Sequence, residues 1–213
     1  MMLKKISSAI ALAIAATSAV AAGTSFKDFT PLVGDVGAGT LPEAAPFRLS
    51  APHFSQMTIV ARDPSGTRFD TGNYDMHTLN ENGPDAGRYL FTVFETGQAG
   101  IQRTDLRNMT TTTIWSSPAA APALNSHVAF DASRWTPWGT FLTAEESWND
   151  FGQPVSIYGR LFEVTNPLAQ PNEVKLVHRS ILPRVSHEGL AFDKKNNLYF
   201  IDERNGGNIY RFT

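Results

Sequence analysis

All-β is the fold class that the sequence predicts, and three observations predict it. Short β-branched and aromatic runs recur from Phe54 onward, divided by Gly, Asn, Asp and Pro, and no segment keeps a helical period for any length. One pattern then occurs three times, from Arg88 to Leu106, from Trp138 to Val164 and from Asn197 to Phe212. Each copy is an apolar strand with an acidic end, a Gly-containing turn, and a second strand that alternates apolar and polar residues. The copies lie roughly 50 to 60 residues apart, the period of a propeller blade with loop insertions. A β-propeller follows, with about three to four blades present at ordinary blade sizes. A propeller ring closes by pairing its first and last blades, so the chain is expected to be part of a larger propeller.

In chain order, residues 1–22 carry Lys4 and Lys5, an apolar run, and small residues ending Ala19-Val20-Ala21-Ala22. These are the three parts of a secretory signal peptide, and the apolar run is short for a membrane span. The mature chain is expected to be periplasmic or secreted, with no membrane attachment after cleavage; a retained signal anchor is the alternative. Loss of Lys4 and Lys5 moves the formal charge from −2 to −4, and no basic run suits nucleic acid. With no cysteine, disulfides, thiolate metal sites and cysteine nucleophiles are excluded.

Residues 23–50 are rich in Gly, Ala and Pro and read as an irregular arm. Gly34-Asp35-Val36-Gly37-Ala38-Gly39 follows no strand, opens no helix and lacks the Lys of a phosphate loop, so it is not read as a nucleotide site. Residues 51–213 are assigned to the propeller. Strands are expected at Met57–Val60, Asn73–Met76, Tyr89–Glu95, Met109–Trp115 and Val174–Leu182 besides those of the repeat. Trp135, Trp138 and Trp148 are expected to wedge between blades rather than to line a substrate entrance.

The acids are the candidate chemistry. Glu145 and Glu146 close a buried apolar strand, and two adjacent carboxylates cannot both sit in a core. Aligned by the repeat, Glu95, Glu146 and Glu203 are equivalent, as are Phe94, Glu145 and Asp202. Repeated acids at equivalent positions would converge on the channel and could hold a cation. Ser126-His127 and Ser186-His187 also match, each followed by Ala-Phe-Asp, at Ala129-Phe130-Asp131 and Ala191-Phe192-Asp193. Oxygen-rich coordination suits calcium, and Glu188 joins the candidates; His127 is as well explained by packing as by ligation. Asp131 and Asp193 are expected at turns, in structural roles.

Trp135 through Glu146, Gly159 through Val164, His187-Glu188-Gly189, and Leu198 through Glu203 closing on Ile209-Tyr210-Arg211-Phe212 together resemble the PhoX-type alkaline phosphatases. The resemblance is best from about Phe130 to the end of the sequence. It implies a propeller whose channel holds calcium, with iron in the phosphatase members, acting on small phosphate monoesters outside the cytoplasm. By that resemblance the metal ligands fall on Glu145, Glu146 and Glu188, then on Asp202, His187 and Glu203. In the family a Cys that bridges two irons precedes the paired glutamates, and here that position is Ala144, which removes the expected iron ligand. Family members also carry twin arginines for folded export, where this sequence has Lys4-Lys5.

Three functions stand open on the sequence: a calcium-dependent phosphomonoesterase, a propeller lactonase or diesterase, and a non-catalytic calcium-binding propeller. No catalytic residue is assigned. Arg160, Arg184 and Arg204 lie nearest the acidic motifs, and an Arg is a natural phosphate clamp, but spacing selects none of them.

Overall fold

The computed structural model describes residues 73–147, 157–204 and 206–213. The chain divides into two compact units, Met1–Met57 and Thr58–Thr213, and the described residues all belong to the second. The signal peptide, the arm, Met57–Val60 and Trp148 therefore lie outside them. No helix among the described residues is long and apolar enough to cross a membrane.

Among the described residues, eleven strands build three antiparallel meanders. The first comprises β1 (Tyr74–Leu79), β2 (Tyr89–Phe94), β3 (Gly100–Asp105) and β4 (Thr110–Ser116); the second β5 (Phe130–Trp135), β6 (Phe141–Glu145), β7 (Leu161–Val164) and β8 (Leu176–His178). The third comprises β9 (His187–Phe192), β10 (Leu198–Asp202) and β11 (Ile209–Phe212). Consecutive meanders whose strands pair in chain order are the blade unit of a propeller. The first strands, β1, β5 and β9, pack on one another across the blades, which makes them the inner strands. The fold is a partial β-propeller, as the repeat predicts.

Burial follows from position in the stack. β6 is buried along its whole length because the second blade has a neighbour on each face. Phe141 joins Phe91, Val93, Ile101, Ile114 and Phe130 between the first two blades, while Leu142 and Ala144 join Leu161, Leu190, Leu198 and Phe200 between the second and third. Alternation along one strand thus feeds two cores. β11 has no blade beyond it among the described residues, and Ile209 is 73% exposed.

Several sequence expectations shift in register. The repeated strand pair proves to be the second and third strands of each blade, so the repeated acids stand just past the second strand and not on the inner one. The match of Ala129-Phe130-Asp131 to Ala191-Phe192-Asp193 is not a structural equivalence: Phe130 and Asp131 begin β5, whereas Phe192 ends β9. Asp131 is therefore a strand residue, not a turn residue. Asp193 does sit in a turn, where it accepts from Lys195 N at 2.8 Å and Asn197 N at 3.0 Å. The strand expected over Val174–Leu182 is confined to β8. Trp135 wedges between blades, stacked 5.6 Å from Phe91, while Trp138 is 55% exposed.

Candidate functional site

One local device is repeated in every blade. Register places Tyr74 opposite Phe94 and His77 opposite Thr92; it places Phe130 opposite Glu145 and Ser133 opposite Thr143. In the third blade His187 faces Asp202 and Leu190 faces Phe200. In each case two inner-strand residues oppose one residue of the second strand, which is a β-bulge. The first residue of the bulge is Asp75, Asp131 or Glu188. A bulge re-aims a side chain, and here it turns an acid out of the regular strand alternation.

The strand-end acids are fixed by an equally repetitive contact. Glu95 N donates to Asn73 O at 3.2 Å, Glu146 N to Ala129 O at 2.7 Å and Glu203 N to Ser186 O at 3.0 Å. The same backbone bond in three blades establishes that Glu95, Glu146 and Glu203 are equivalent, as the repeat predicts. Asn73 Nδ2 donates to Glu95 Oε2 at 2.7 Å, and Ser186 Oγ lies 3.5 Å from Glu146 Oε1.

The two sets of acids converge. Glu146 faces Glu203 and Glu95, and burial followed by these two neighbours pushes its carboxyl up to about 9. Asp131 faces Asp75 and Glu188, and burial followed by the same kind of repulsion pushes it up to about 10. Asp131 is 5% exposed, and its Oδ1 has no hydrogen-bond donor among the described residues. Each is the middle member of a trio supplied by three blades. Oxygen-only donors, an orphaned buried carboxylate oxygen and mutual repulsion suit a hard divalent cation in chemistry. No group of three or more His, Asp or Glu side chains able to hold a metal ion is assembled among the described residues.

The six residues expected as ligands separate into different environments. Glu146 and Glu203 share one trio and Glu188 belongs to the other. Glu145 is fully buried and paired with Arg160, which donates from Nε to Oε2 at 2.9 Å and from Nη2 to Oε1 at 2.6 Å. Val128 N and Arg160 N donate to the same carboxylate, so both of its oxygens are occupied. His187 is fully buried 5.5 Å from Phe200, and burial holds it down at about 4, neutral at pH 7. Asp202 Oδ1 accepts from Ser186 N at 3.1 Å and Arg204 N at 3.3 Å, closing the turn after β10. His127 packs among Trp115, Phe130 and Phe162.

Asp75 and Asp131 are the site residues that the sequence reading missed. The signal was present as a ring residue followed by an acid at the head of each inner strand: Tyr74-Asp75, Phe130-Asp131 and His187-Glu188. Aligning on Ala-Phe-Asp concealed it.

Residues 132–213 match the family described as Alkaline phosphatase PhoX. Over that stretch the chain is similar to PhoX. The PhoX-like stretch holds Glu145, Glu146, Glu188 and Glu203. The first blade, with Asp75 and Glu95, lies outside it. Among solved structures, the Cps50 (Swd1) β-propeller domain of Myceliophteria thermophila is similar at 16% identity and a TM-score of 0.39. The match covers 65% of this chain and 39% of that one. No curated protein matches the chain.

Proposed function

We propose that the chain serves an exported, metal-dependent, phosphatase-like hydrolase acting on phosphate monoesters, with calcium held by the channel carboxylates. The observation that carries this reading is that Glu146 faces both Glu95 and Glu203 from equivalent positions of three blades, although the three do not stand assembled as a metal site. Clustered negative charge with no ion pair among the described residues is the arrangement that a divalent ion relieves. Residues 1–22 support export by their lysine, apolar and small-residue order.

Glu146 with Glu95 and Glu203, and Asp131 with Asp75 and Glu188, are the residues that would hold calcium. When bound, such an ion neutralises phosphoryl charge and polarises the phosphoryl oxygens. The chain's own part is placement: the three backbone bonds fix the strand-end acids, Asn73 orients Glu95, and the bulges orient the inner acids. Ala144, buried in the core between the second and third blades, supplies no ligand, so calcium is preferred here to a thiolate-bridged iron pair.

The test is turnover of p-nitrophenyl phosphate after chelation. Restoration by calcium, and loss of that restoration in Glu146→Gln, is the expected result. Cleavage of a lactone or a diester instead would replace the reading with another propeller hydrolase. If calcium only raises the melting temperature and no ester is cleaved, the protein is a calcium-binding propeller without catalysis.

A further inference from the structure

Beside the carboxylates lies a small polar cavity of about 90 Å³, with Ser147, Tyr158, Arg184, Ser186, Asp202 and Arg204 in its wall. Ser147 follows Glu146 in the chain, Ser186 is bonded to the Glu203 amide, and Arg204 follows Glu203. Ser186, in the cavity wall, also lies 3.5 Å through its hydroxyl from Glu146 Oε1, so the cavity adjoins that strand-end acid. Its volume has room for a few waters or one tetrahedral oxyanion.

The three arginines near the acidic motifs, which spacing could not separate, are separated by their partners. Arg160 is committed to Glu145 and to Ser126 O. Arg184 Nη1 donates to the carbonyls of Ile157 and Tyr158, which holds its guanidinium in place. Arg184 is also pressed by burial and by the charge of Arg160, a strain that an anion would relieve. Among the described residues the Arg204 guanidinium has no acceptor, whereas its amide is pinned to Asp202 Oδ1. Gly207 N donates to Arg204 O at 2.5 Å, and a Cβ at Gly207 would collide with Asp202 O, so only glycine lets this turn close. The turn thus presents an unpaired cation at the edge of an acidic site. Among the described residues Asp202 is the one carboxylate in the wall, and two backbone N–H groups already engage its Oδ1.

A phosphate dianion approaching carboxylates from three blades is repelled unless a fixed cation receives it. We propose that Arg204, supported by Arg184 and the Ser186 hydroxyl, forms the subsite that receives the phosphate group of a monoester. The inference rests on the phosphatase reading for the identity of the ligand, and on the cavity for its place. Arg204 is a substrate-binding residue in this assignment, and its planar guanidinium offers two parallel N–H groups to two phosphate oxygens.

The experiment is calorimetric titration of inorganic phosphate into the full chain with chelator present, so that no divalent cation contributes. Saturable binding is expected, weakened about tenfold or more in Arg204→Gln and by less in Arg204→Lys, which keeps the charge but not the fork. Arg184 also holds backbone carbonyls, so Arg204 gives the cleaner variant. With p-nitrophenyl phosphate and calcium, Arg204→Gln is expected to raise KM by a similar factor. Phosphate affinity unchanged in Arg204→Gln, or no saturable binding by the unsubstituted chain, overturns the subsite. Calcium-dependent turnover with an unaltered KM in Arg204→Gln also overturns it and leaves the phosphatase reading standing. Arg204-dependent phosphate binding without any turnover sustains the subsite and removes the phosphatase reading.

Discussion

Glu145 and Glu146 are neighbours in the chain with opposite fates. Glu145 is the last residue of β6 and points into the blade, where Arg160 and two backbone amides take up its charge. Glu146 is one residue further, beyond the strand, and points at Glu95 and Glu203. Successive residues at a strand end face opposite sides, so one acid becomes a structural pair and the other joins an unneutralised cluster. The pairing of carboxylates in sequence therefore says nothing about a shared role, and carrying both over as ligands treats as one site what the fold divides into two.

The largest expected effect that tests this division is on the structural side. Arg160→Ala leaves Glu145 charged, buried and unpaired, and should cost about 3–5 kcal/mol of stability. A fall of roughly 10 °C in the melting temperature is the corresponding readout at this chain size. A melting temperature that does not move would mean that Glu145 is free to bind a cation after all. Gly159→Ala comes next, because Gly159 leads directly into Arg160 with φ at +74° and a Cβ there would lie 2.7 Å from Val185 O. It should lower stability by about 2 kcal/mol, read from the urea midpoint.

On the Glu146 side the sign reverses. The folded carboxyls of Glu146 and Asp131 are raised to about 9 and about 10, from ordinary values of 4.5 and 3.8. The fold therefore holds more protons than the unfolded chain between those limits, and stability falls as pH rises. Their contribution is fully present below the ordinary values and is lost as pH rises through the folded ones. In chelator the unfolding midpoint should decline from pH 5 to pH 9, and saturating calcium should flatten that decline. A midpoint that rises with pH over this window would contradict the clustering. The smallest effect is that of Glu146→Gln in chelator, which above pH 9 removes one repelling charge and should there raise the melting temperature by about 2 °C. The same variant should lose the calcium-induced gain that the unsubstituted chain shows.

How far the site was legible depended on what each residue's signal was. The strand-end acids announce themselves, since an apolar strand followed by carboxylate repeats with the blade and aligns Glu95, Glu146 and Glu203. Of the inner acids the sequence marks only Glu188; Asp75 and Asp131 escape it because these residues sit on bulges. A bulge inserts one residue and breaks the period of two on which strand reading relies. Arg160 was visible as a cation near acids, but its choice of Glu145 depends on a contact between β6 and the turn before β7 that linear spacing does not encode.

What the sequence by itself determined was the blade: the β-branched and aromatic runs, their glycine turns and the repeated acid are local properties, governed by propensity and alternation within a few residues. Which acid is neutralised, which is left against its neighbours and which arginine stays unpaired were decided only by the tertiary structure. Those outcomes rest on electrostatic and desolvation terms that depend on distance in space, and the bulges and blade packing that set those distances bring together residues remote in the chain.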